Sequence, residues 1–194
     1  PMINWMPLFA MALANKAVTG ESMAMAACIQ QAIRSMQAAG QEMPKATIQA
    51  IHDAAETRTQ EDVLKAVQPL VFLEVTINPE GRVRVEPGPY VPGLKVGRES
   101  FGIVKVNNQS GGQQRLEPRC SCAGVTNNPF TASLTTGVGN QPVDLSGQAV
   151  EFLVLKIACS KAGPREATIA FHAGQGTEDL GFRCEAAVLF KVSE

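Results

Sequence analysis

The chain has 194 residues and a formal net charge of −1. A chain of this length buries about 70% of its unfolded surface, so it needs no metal or cross-link merely to fold. The charge balance, with no Lys/Arg run, excludes the electrostatic footprint of a nucleic-acid binder, and no apolar run reaches the roughly 18 residues of a membrane-crossing helix.

The run Trp5–Ala14 has the length of a signal-peptide apolar core, but no basic residue precedes it. Three readings stay open: the remnant of an export signal, a packing helix, and a membrane-surface anchor. Any membrane contact is thereby confined to residues 5–14, and the packing helix ranks ahead of it. Helices are predicted over Pro7–Lys16, over Ser22–Ala39, from Pro44 onward, and from Thr59 to just before Pro69. The second has its apolar stripe on Cys28, Ile29, Ala32, Ile33 and Met36, with Gly40 fitting the position after the helix end. Pro44 suits a first turn and Thr59 can cap one. Short, Ala-rich helices of this kind are held by tertiary packing rather than propensity. Residues 1–69 thus read as a helical lead-in.

From Leu70 the apolar period shortens to two. Val71, Leu73, Val75 and Ile77 alternate towards a turn at Asn78-Pro79-Glu80-Gly81, and Arg82–Glu86 returns with valines and charges on opposite sides. An irregular Pro/Gly connection is expected over 87–97, then strands over Ser100–Asn107 and Gln113–Pro118. Residues 119–147 read as one long polar loop, and such loops are usually functional or cross-linked. Three longer alternating strands follow, over Ala149–Cys159, Arg165–His172 and Leu180–Val192. About seven short strands with frequent turns suit a sandwich. The expected class is α+β: a small N-terminal helical segment followed, over 70–194, by an antiparallel, immunoglobulin-like β-sandwich.

Four of the five cysteines, Cys120, Cys122, Cys159 and Cys184, fall in the β region. An even group in a loop-rich β domain suggests disulfides and an oxidising compartment, with the Cys120-Ser121-Cys122 loop pinned to strands through Cys159 and Cys184, or those two bonded to each other. The alternatives are buried free thiols, a metal site completed by His172 and a redox pair. Metal ligands more often stand two to four residues apart, and redox pairs use two intervening residues. His52 and His172 are the only histidines, and no serine sits in a nucleophile motif. The acidic, Gly-rich turn Gly174–Gly181 lacks the Lys of a phosphate loop and the charge of a calcium loop. No catalytic, cofactor-binding or metal residue is assigned.

Phe72–Glu80, Ile103–Asn108, Gly163–Phe171 and Gly174-Gln175-Gly176-Thr177-Glu178-Asp179-Leu180-Gly181-Phe182-Arg183 together resemble the N-terminal region of large exported planctomycete-type proteins, metallohydrolases of the polymerase-and-histidinol-phosphatase kind. There the region precedes further β domains and a separate catalytic domain, whose metal ligands all lie outside the resembling residues. The four β-region cysteines depart from that pattern. The resemblance implies an exported, non-catalytic accessory module and transfers no site residue. The expected function is a structural or protein-interaction module at the periplasm, cell surface or outside, with a protein partner or a second copy, no nucleic acid and no cofactor. The alternative is a ligand- or carbohydrate-binding module using the 119–147 loop, although one Trp and one Tyr equip it poorly for sugar stacking. A thiol or zinc hydrolase through Cys120, Cys122 and His172 ranks behind both.

Overall fold

Thr59 opens a helix with a complete N-terminal cap. Its hydroxyl accepts from the Asp62 amide (3.4 Å) while the Asp62 carboxylate accepts from the Thr59 amide (3.2 Å), a reciprocal cap that satisfies two end donors at once. The computed structural model describes residues 20–38, 40–57, 59–135, 143–173 and 184–194. The apolar run at 5–14, the first predicted helix, residues 136–142 of the long loop and the Gly174–Arg183 turn lie outside them. The described helices are α1 (Gly20–Ala38), α2 (Lys45–Thr57) and α3 (Gln60–Val67). A 3₁₀ turn, Gln68–Leu70, then delivers the chain into the first strand.

The described strands are β1 (Val71–Ile77), β2 (Val83–Pro87), β3 (Leu94–Lys95), β4 (Glu99–Asn108), β5 (Arg115–Ser121), β6 (Phe130–Thr135), β7 (Val143–Asp144), β8 (Val150–Cys159), β9 (Gly163–Ala173) and β10 (Glu185–Ser193). They form two five-stranded sheets, ordered β2-β1-β4-β8-β6 and β3-β10-β9-β5-β7. Packed face to face around a shared core, these make a β-sandwich, so the chain is α+β. The β1–β2 hairpin is turned by Asn78, whose side-chain oxygen accepts from the Glu80 and Arg82 amides (3.0 and 2.8 Å), and by Gly81 at φ +79°.

Two expectations need correction. The sandwich is mixed rather than wholly antiparallel: β1 pairs with β4 in parallel, as does β3 with β10. The cause is the route of the chain. After β2 it crosses to the second sheet to form β3, then returns to place β4 beside β1 in the same direction. The predicted 119–147 loop also contains two strands. β6 pairs along β8 and β7 along the start of β5. Both are sheet-edge strands with few apolar anchors: Phe130 and Leu134 in one, Val143 in the other.

The central strands of the first sheet, β1, β4 and β8, are buried on both faces. Leu73, Val75, Val104, Val106, Leu153 and Leu155 line the sandwich interior against Ile169, Phe171, Val188 and Phe190. On the opposite face Val71, Ile103, Phe152 and Val154 pack against Ile29, Met36, Ile51, Val63 and Val67 of the helices. The molecule therefore has three layers, helices on sheet on sheet. A bulge in β1 at Phe72, where the pairing with β4 slips between Val71 and Leu73, serves both cores. It turns Phe72 and Leu73 together into the interior, where the Phe72 ring lies 6.0 Å from that of Phe190. Gly102 makes this possible: a Cβ there would stand 2.6 Å from the Phe72 ring.

Gln41, in the α1–α2 connection, completes the junction between layers. β1 begins to pair with β4 only at Ile103, and the Gln41 carboxamide serves Phe101 just before that point. Its oxygen accepts from the Phe101 amide (2.7 Å) and its nitrogen donates to the Phe101 carbonyl (2.9 Å) and the Tyr90 hydroxyl (3.4 Å). One side chain thus extends the ladder where the strand has not started.

Candidate functional site

The sequence-predicted cysteines separate into a group and an outlier. Cys120 sits on β5 opposite Ile169 and faces the interior. The chain then switches sheets through residues 122–129, a crossing held by Asn128, which donates to the Cys120 carbonyl (2.6 Å) and accepts from the Phe130 amide (3.1 Å). Pro129 in turn accepts from the Ser160 amide (2.9 Å), drawing the crossing towards the end of β8, where Cys159 is buried. Burial, with Cys122 and Cys159 nearby, pushes the Cys120 thiol up to about 12. Cys120, Cys122 and Cys159 therefore share one corner of the sandwich. Cys184 does not join them. Its carbonyl accepts from the Phe171 amide (2.9 Å) on the side of β9 away from β5. Two strand spacings, about 10 Å, lie between it and Cys120, whereas a disulfide needs Cα atoms within about 7 Å. Cys28 lies elsewhere, its thiol donating to the Phe152 carbonyl (3.0 Å) where α1 meets β8.

This corner does not assemble the chemistry of a thiol or zinc hydrolase. His172 pairs with Glu117 on the outer face of the second sheet, whereas Cys120 points inward. His52 lies exposed on α2, in the other layer. Among the described residues no group of three or more His, Cys, Asp or Glu is placed to hold a metal ion. A thiol held at about 12 is also a poor nucleophile near neutral pH, since only the thiolate attacks.

The surface best prepared for contact is the edge of β10. The strand runs for nine residues, yet β3 pairs only with Val192 and Ser193. The Phe171–Cys184 bond sets the phase of the ladder: even-numbered residues of β10 address β9, and the backbone groups of Glu185, Ala187 and Leu189 point the other way. No described strand pairs with them. Leu189 lies beside this edge, 62% exposed, the most exposed large apolar side chain among the described residues. Sequence alternation predicts the charged outer face of β10 but not the open edge, because edge status depends on which distant segment pairs alongside.

No protein-family model and no curated protein matches the chain. Among solved structures it is similar to domains 4 and 5 of the S-layer protein SbsC, at 16% identity and TM-score 0.29, over 58% of this chain and 57% of that one. A fragment holding domains 1–6 of SbsC matches at 14% identity and TM-score 0.28, over 58% of this chain and 14% of that one. An ASH/PapD-like domain of human CEP192 matches at 9% identity and TM-score 0.28, over 64% and 84%. The chain thus spans little more than half of the two-domain SbsC fragment. At TM-scores this low, none of the three bears on what this chain does.

Proposed function

We propose that this chain is a non-catalytic structural or protein-interaction module, an exported subunit or accessory domain that joins a larger assembly by accepting an extended segment of a partner along β10. The observation behind this reading is the edge just described: outward backbone groups from Glu185 to Leu189 with an exposed leucine beside them. An unpaired strand edge is a template for another strand, with main-chain hydrogen bonds supplying affinity and flanking side chains selectivity. Export rests on the resemblance of Gly163–Phe171 and its companion stretches to exported accessory modules; the five cysteines, all free thiols in this structure, add nothing to it.

The experiment uses Ala187→Pro. The Ala187 amide points away from β9, so proline there removes a donor facing the partner and none from the native ladder. Native mass spectrometry and size exclusion of material from its source are expected to show a complex that Ala187→Pro and Leu189→Lys both dissolve while the fold persists by circular dichroism. A strictly monomeric protein without a co-purifying partner overturns the proposal, as does a complex that neither variant disturbs.

A further inference from the structure

A cleft of about 370 Å³ opens where the α1–α2 connection, the β3–β4 turn and the end of β10 meet. Lys95, Arg98 and Lys191 stand around it, and none of these side chains has an ion-pair or hydrogen-bond partner among the described residues. Lys95 lies beside Ser193 in the parallel β3–β10 pair, with Lys191 two residues earlier on the same outer face. Of the two acids in the lining, Glu99 is already engaged by Lys156 at 3.0 Å. That leaves three cations against the single carboxylate of Glu42, on a chain whose net charge is −1. Local charge here runs against the molecular average.

The floor of the cleft is rigid and offers donors. Gln41 is fixed by both of its bonds to Phe101. Because the Tyr90 hydroxyl oxygen accepts from Gln41, its own hydrogen is left to donate. The Ser100 hydroxyl is spent on the Gly93 carbonyl (2.8 Å), which holds the β3–β4 turn in place beneath Arg98. Cations on separate elements around a preformed polar floor match a planar or tetrahedral oxyanion, and the volume falls in the usual range for small-ligand clefts.

We infer that this cleft binds a small oxyanion-bearing ligand, a carboxylate or a phosphate ester, held by Lys95, Arg98 and Lys191 over the Gln41–Tyr90 floor. Binding would clamp the helical connection to the sandwich, so the ligand raises the melting temperature. The site is separate from the β10 edge, and Leu189→Lys leaves it unchanged.

The test is a thermal-shift and calorimetric titration of the whole chain at low ionic strength. Inorganic phosphate, citrate and glucuronate are the probes, with chloride at matched ionic strength as reference. Saturable stabilisation by phosphate alone identifies a phosphate-type ligand, and by citrate or glucuronate a carboxylate. Arg98→Glu and Lys95→Glu are each expected to weaken binding about tenfold, the effect of losing one charge-assisted hydrogen bond. Lys161→Glu makes the same charge change away from the cleft and is expected to leave binding intact. Circular dichroism confirms that each variant is folded. Responses no larger than chloride's overturn the inference, and so does an equal loss in Lys161→Glu, which would mark a general charge effect.

Discussion

The two sheets differ in what their outer faces meet. The first sheet carries helices on its outside, so Ile103 is buried there as deeply as Val104 is within, and Val154 is buried on the same outer side. The second meets water, and β10 alternates buried and exposed at every residue from Glu185 to Ser193. Burial on both faces makes a strand read as a nearly continuous apolar run, whereas one wet face leaves strict alternation. β1, with Val71, Phe72 and Leu73 buried in succession, belongs to the first kind.

The largest expected effect tests this difference directly. Ile103→Lys places an unpaired charge between the first sheet and the helices, at a fully buried position. It should cost about 3–5 kcal/mol, and denaturant titration is expected to find the variant largely unfolded. A loss below about 1 kcal/mol would mean that the helices do not cover this face in solution. Gln41→Ala comes next, because it strips both partners from Phe101. A loss of about 1–3 kcal/mol is expected, with faster amide exchange at Phe101 as the specific readout.

Cys120 gives a smaller, pH-dependent effect. Its folded thiol is held near 12, while an unfolded thiol ionises near about 8.5. The unfolded chain therefore releases its proton first as pH rises. The contribution is complete below that lower value and declines from there towards 12, and Cys120→Ala should flatten the alkaline limb of the stability curve in reduced protein. The smallest expected effect is that of Leu189→Lys on the outer face of the second sheet. It should change stability by no more than about 0.5 kcal/mol, so urea midpoints for it and Ile103→Lys should lie far apart.

Much of this fold can be read from residue order. The Thr59 cap, the Asn78–Gly81 turn and the alternation of the longest strands are local features, and local physics determines them. β6 and β7 escaped the reading because each has too few apolar residues to show a period, and pairing with β8 and β5 is what makes them strands. The parallel β1–β4 pair escaped because strand direction follows from the path between strands, which periodicity does not record. The cysteine group was visible in composition, but its membership was not. Cys184 is separated from Cys120 by the width of β9, a distance that register alone reveals. Non-reducing peptide mapping is expected to find any cystine of this region among Cys120, Cys122 and Cys159.

The double burial of β1 also bears on the order in which the chain can fold during synthesis. The β1–β2 hairpin emerges with apolar side chains on both sides of β1, and its parallel neighbour β4 follows only after the chain has visited the other sheet. The interior partners Val188 and Phe190, on β10, arrive only after every other described strand. Contacts so distant in sequence form slowly, and an apolar strand left waiting is open to misassociation. The helices precede β1 and have left the ribosome before it appears, so they are the first cover available to one of its faces. In this light α1, α2 and α3 act as a shield in the time domain as well as a layer of the finished molecule.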